Sequence, residues 1–219
     1  METEIPMTPA KPLESDQAAP DFAKTLLHVA WLSILLGIVM ELLVLGTASG
    51  LGIMPGAGVI LADTVQKVSW STIVCVGLAV GTAAANARGP VMGLAGLLAA
   101  PAGFTIARTL HRGTLQALGA GVGAAGQPSA IVLAILKGIQ YGCLGMAVGW
   151  AGQRLPGKAT AYVGAGLVVG VVFGGLTLAL MSPLPAAALI SRGVNEILFP
   201  VGCSLVLFTA ETLGKRTSR

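Results

Sequence analysis

The sequence predicts an all-α polytopic integral membrane protein of about six transmembrane helices that pack over glycine. Three observations lead there. Charged residues make up only 10% of the 219-residue chain, where a soluble domain carries about 25%. Mean hydropathy is +0.84, and the apolar residues fall into runs of roughly the ~20 residues that a helix needs to cross a bilayer. Finally, 31 glycines are spread through those runs, and small residues let helices approach closely where lipid gives no hydrophobic drive to associate.

Residues 1–24 are polar and net acidic, with Pro6, Pro9, Pro12 and Pro20. They lack the basic start of a secretory signal. They are expected to form a flexible cytoplasmic tail, with the first apolar run acting as an uncleaved signal anchor. Spans are expected at 25–46, 68–87, 90–110, 128–152, 160–181 and 189–213, followed by a basic tail at 214–219. Spans two and three are joined by "RGP" at 88–90, where Pro90 starts a helix without losing a needed N–H. Spans four and five are joined by the short turn "QRLPGKA".

Two linkers are longer. Residues 47–66, "TASGLGIMPGAGVILADTVQ", and residues 111–127, "HRGTLQALGAGVGAAGQ", are rich in glycine and weakly polar. They are read either as surface loops or as short re-entrant pieces, which membranes tolerate only where protein or a cavity surrounds them.

Lys and Arg set orientation. With six spans and the N-terminus inside, Lys11, Lys24, Arg88, Arg154, Lys158, Lys215, Arg216 and Arg219 lie inside. Lys67, Arg108, Arg112 and Arg192 lie outside. This favours both termini in the cytoplasm of a bacterial inner membrane, with Arg108 and Arg112 as the contrary signal.

Internal similarity is faint. "TLLHVAWLSIL" from Thr25 resembles "TVQKVSWSTIV" from Thr64, and "KGIQ" from Lys137 resembles "RGVN" from Arg192. Either duplication or the shared preference of Lys and Trp for the membrane interface accounts for it.

Gly77 and Gly81, Gly138 and Gly142, and Gly145 and Gly149 are each four residues apart, and Gly166, Gly170 and Gly174 form a ridge on one helix face. They are expected to pack spans two, four and five tightly, or to dock a second copy or another subunit.

A charge at bilayer depth costs about 2.5–3.5 kcal/mol or more, so it usually has a purpose. Lys137 lies nine residues into the fourth span, about 13 Å deep at 1.5 Å per residue. A span beginning near Leu136 would make it an interface anchor but would leave a short run before Arg154; in the buried reading it is expected to pair with Glu196 or Glu41 across the bundle. Arg192 lies four residues before Glu196, the spacing of an ion pair on one helix face. Glu41, Lys67, Lys137, Gln140, Arg192, Asn195 and Glu196 are all expected in one polar layer of the outer half. The residues singled out for transport or helix pairing are Glu41, Lys137, Gln140, Arg192, Asn195 and Glu196. Asn86 and Arg88 are expected at the inner end of span two, and Pro101 and Pro200 interrupt spans three and six. Cys75, Cys143 and Cys203 are read as packing residues, since three thiols in apolar runs make no disulfide framework.

Other classes lack their residues. His28 and His111 alone make no metal or haem site, and no G-x-S-x-G, HExxH, P-loop or TVGYG motif occurs. No basic cluster with interleaved aromatics points to nucleic acid. No enzyme and no cofactor are expected. The partners expected are the bilayer and either further copies of the chain or other membrane subunits. Two functions stay open: a small transporter or channel for an ion or small solute, and a non-catalytic subunit of a larger membrane complex.

Overall fold

Six helices form in a computed structural model, which describes residues 15–84, 87–120, 129–181 and 185–217, with side chains described from 22 to 213 of these. They are α1 (Ser15–Gly50), α2 (Ala57–Val80), α3 (Arg88–Ala117), α4 (Ala130–Arg154), α5 (Ala159–Leu180) and α6 (Ala186–Thr217), and a 3-10 turn (Gly81–Ala83) follows α2. No strand occurs among the described residues. All six helices are long and apolar enough to cross a membrane. Their outer faces are apolar too, with Trp31, Leu98, Ile131 and Val168 more than half exposed. A water-soluble bundle would bury those side chains; a bilayer solvates them. The chain is an integral membrane protein.

The helices form a ring in chain order. Each packs on the next, α6 closes on α1, and the seam between α4 and α5 is the thinnest. Six sequential spans bring both termini to one face of the bundle, here called the termini face. The α1–α2 connection and the C-terminal ends of α3 and α5 lie at the opposite, loop face. Gly52 (φ 68°) and Gly119 (φ 64°) turn the chain out of α1 and α3 at that face.

Backbones touch where glycines remove side chains. A Cβ on Gly81 would stand 2.6 Å from Met92 Cα, and one on Gly149 would stand 2.6 Å from Gly89 Cα. Gly145 abuts the Met92 carbonyl, and Gly77 faces Ala99. These contacts stitch α2 to α3 and α3 to α4, the most extensive interface of the bundle. On the other side the Gly166–Gly170–Gly174 ridge of α5 lies on the α6 backbone at Val201, Ile197 and Glu196. Pro101 does not open α3; it packs on Gly138 of α4, with its Cγ 3.0 Å from where a Cβ would sit. The hydroxyl of Ser204 donates to the Pro200 carbonyl at 2.9 Å. Pro101 and Pro200 leave the carbonyls of Leu97 and Glu196 without their helical N–H, and those carbonyls lie 3.1 Å and 3.3 Å from where a Cβ on Gly138 and on Gly174 would sit.

Several boundaries differ from the expected ones. Helix α1 reaches back to Ser15, into the stretch expected as tail, and α6 runs on to Thr217. The linker expected at 47–66 shrinks to six residues between Gly50 and Ala57, because its remainder extends α1 and α2. That excludes a re-entrant piece there. Residues 111–117 of the second linker belong to α3, while 121–128 lie outside the described residues, as does Asn86. The physical reason is common to both corrections. The ends of α2 and α3 carry Asp63, Gln66, Lys67, Arg108, His111 and Arg112, which line a cavity rather than meet lipid. Polar side chains on one helix face lower the hydropathy of a whole window without breaking the helix.

The middle of the bundle is dry. Val74, Leu78, Met92, Leu144 and Val148 are fully buried. Cys75 Sγ and Cys203 Sγ, from α2 and α6, stand 3.1 Å apart there. Treating membranes with copper phenanthroline is expected to form an intramolecular Cys75–Cys203 disulfide, read by mass spectrometry of a non-reduced digest. Cys75→Ser removes it. If no such cross-link formed, α2 and α6 would not meet at this level.

Candidate functional site

The loop-face half of the bundle holds a vestibule of about 570 Å³, bordered by α1, α2, α3, α4 and α6. Beneath it a second compartment of about 140 Å³ shares Gln66, Lys67, Phe104, Asn195 and Glu196 with it and adds Lys137, Trp70, Tyr141 and Phe199. The combined volume falls in the ~300–1,000 Å³ range of small-molecule sites.

Each buried charge in this half has a counter-charge on another helix. Lys67 on α2 donates to Glu41 on α1 at 2.5 Å. Lys137 on α4 pairs with Glu196 on α6 and also donates to Gln140 Oε1 at 3.0 Å. His111 Nε2 on α3 lies 2.9 Å from Asp63 Oδ1 on α2. Glu41 is 3% exposed and Lys137 9% exposed. Neither carboxylate nor ammonium would be tolerated at that burial without its partner.

Of the two partners foreseen for Lys137, the structure selects Glu196; Glu41 goes to Lys67 instead. Arg192 does not complete the same-helix pair with Glu196. Its Nη1 donates to Met181 Sδ at 3.3 Å, because Glu196 turns inward to the more buried Lys137 while Arg192 stays at the mouth. Arg192, Asn195, Glu196 and Glu41 all line the vestibule. Gln140 lies behind it, fully buried, with its Nε2 lacking a hydrogen-bond partner. Asn195 Oδ1 is buried and unpartnered as well. Buried polar atoms left unpaired cost about 1–3 kcal/mol each, so these two amides are natural positions for water or a ligand.

The floor is aromatic. Trp70 meets Tyr141 edge-on with ring centroids 5.3 Å apart, Phe199 at 6.4 Å and Phe104 at 6.5 Å. Below it come the dry core and then an ionic cluster at the termini face. There Arg88 at the start of α3 pairs with Glu211 near the end of α6, and the Tyr162 hydroxyl of α5 donates to Glu211 at 3.0 Å. Glu211 and Tyr162 escaped the sequence reading, although Glu211 is a carboxylate inside the last expected span at the level of Arg88. His111 was read only as a poor metal ligand, not as the partner of Asp63. Among the described residues no three of His, Cys, Asp and Glu gather as a metal would require.

No protein-family model, no curated protein and no solved structure matches the chain.

The Glu41–Lys67 pair supplies a direct test. Glu41→Leu leaves the Lys67 ammonium uncompensated and is expected to cost about 3–5 kcal/mol. Lys67→Leu added to it is expected to recover most of that loss. Thermal unfolding in detergent reads both, and equal damage from the single and double variants would contradict the pairing.

Proposed function

We propose that the chain is a small membrane transporter that receives an ion or small solute in the loop-face vestibule. The observation that carries the reading is the asymmetry of the bundle. A polar cavity with two buried ion pairs at its base opens at one face, while a dry core and the Arg88–Glu211–Tyr162 cluster close the other. A continuous channel would need a polar path through Leu78, Leu144 and Leu207, all of which are buried. A carrier in one of two alternating states has this form. The balance of Lys and Arg favours placing the termini face in the cytoplasm of a bacterial inner membrane, so the vestibule would face outward.

A docking subunit is the second reading. Gly164 and Gly175 of α5 lie eleven residues apart, hence on one helix side, and neither has an atom within 4 Å of where its Cβ would be. That is a surface a partner helix or second copy would fit.

Water access separates the two. In a variant lacking native cysteines, Asn195→Cys is expected to react with a membrane-impermeant thiosulfonate as fast as an exposed loop cysteine at Met54. Leu207→Cys is expected to stay unmodified. Protection of Asn195→Cys, together with purification in fixed ratio with other proteins, would favour the subunit and overturn the transporter.

A further inference from the structure

We infer that the vestibule binds a small organic anion, with an oxyanion head held by arginine and an apolar body against the aromatic floor; this rests on the transporter reading of the same site.

Charge comes first. The two compartments together are bordered by five basic side chains, Lys67, Lys137, Arg108, Arg112 and Arg192, and three acidic ones, Glu41, Asp63 and Glu196. However these eight pair among themselves, the site keeps two positive charges with His111 neutral. Among the described residues no other Asp, Glu, Lys or Arg lines either compartment. The connecting stretches 51–56, 118–129 and 182–185 contain no Asp, Glu, Lys or Arg. A cleft with one excess sign and low-dielectric walls concentrates the opposite ion.

The kind of base comes next. The two lysines and two of the acids lie deep and neutralise each other in pairs. The other bases, Arg108, Arg112 and Arg192, outnumber the one other acid, Asp63. Arginine presents a planar fork that matches a carboxylate or phosphate with two parallel hydrogen bonds. Arg108 lies with its Cζ 5.8 Å from the Phe104 ring centroid, which joins the cationic mouth to the aromatic floor. A cation as ligand would add to the surplus rather than balance it.

Shape decides between an inorganic and an organic anion. The lower compartment of about 140 Å³ has the rings of Trp70, Phe104, Tyr141 and Phe199 in its wall, beside the two ion-paired lysines, Glu196 and two amides. An inorganic oxyanion would leave those rings against water. A short alkyl or aryl body fills the compartment, and its head then stands at the level of Asn195 and the arginines.

The test reads Trp70 directly. Trp31→Phe and Trp150→Phe leave Trp70 as the single tryptophan of the chain. In phosphatidylcholine nanodiscs its fluorescence is expected to change saturably with butyrate, and not with butylamine or butanol. Arg112→Gln with Arg192→Gln is expected to weaken butyrate binding about tenfold or more, the scale of losing a charge-assisted pair. The same two positions as Lys are expected to retain part of it, which separates loss of charge from loss of fold. Butylamine binding as well as butyrate, or a butyrate response no different from that of butanol, would overturn the inference. Repeating the titration in phosphatidylglycerol distinguishes sources of the anion. A rise in the butyrate needed, larger than the surface potential of the anionic bilayer accounts for, identifies a lipid headgroup as competitor for the same arginines; no such rise identifies a soluble anion. The anion reading and the transporter reading fail by different readouts. Saturable binding with no uptake of labelled butyrate into vesicles would sink the transporter reading alone. An accessible Asn195→Cys with no Trp70 response would sink the anion alone.

Discussion

An ammonium or carboxylate within a bilayer has to find its opposite on another helix, and the arrangement of this bundle follows from that constraint. Water is not at hand to solvate the charge, and a single helix rarely supplies both signs at the right rotation. Lys137 therefore ties α4 to α6 through Glu196, and Lys67 ties α2 to α1 through Glu41. The α4–α6 link matters most. These helices share little other surface, so the pair spans the part of the ring where packing alone is weak.

Glycine makes the pairs reachable. The close approach of α5 to α6 over Gly166, Gly170 and Gly174 ends at the Glu196 backbone itself. That contact sets the height and rotation from which Glu196 meets Lys137. The same logic holds at the other face, where Gly152 leaves room for Arg88 and Tyr162; a Cβ there would lie 2.9 Å from both the Arg88 Cζ and the Tyr162 hydroxyl. Dispersion over small residues positions the helices, and buried charges fix their register. A cavity lined by ionic and amide side chains remains in the loop-face half, whereas the other half is filled by Leu, Met and Val. Trp70, Tyr141 and Phe199 mark the border.

Much of this was legible in the sequence. Six spans follow from run length, and the depth of Lys137 follows from counting residues at 1.5 Å each. The choice between Glu41 and Glu196 as its partner was not legible. Counting gives depth, whereas pairing depends on how each helix is rotated and which neighbour it faces. The vestibule was hidden for a related reason. Asp63, Gln66 and Lys67, like Arg108, His111 and Arg112, made helix ends look like loops, since a hydropathy window averages the cavity face with the lipid face. Glu211 went unnoticed because it stands near the basic C-terminal residues, where a carboxylate reads as an interfacial charge. A comparison of depths between spans three and six would have placed it beside Arg88.

Exchanging the charges of Lys137 and Glu196 tests the central claim most directly. Lys137→Glu puts two carboxylates together, and Glu196→Lys puts two ammoniums together, so each alone should lower the yield of folded, monodisperse protein and its unfolding temperature. The two together restore an opposite pair across α4 and α6. The account predicts that the double exchange recovers most of the stability lost by either single one. If the double exchange were as damaged as the sum of the singles, the two side chains would not be partners, and the bundle would owe its arrangement to glycine packing alone.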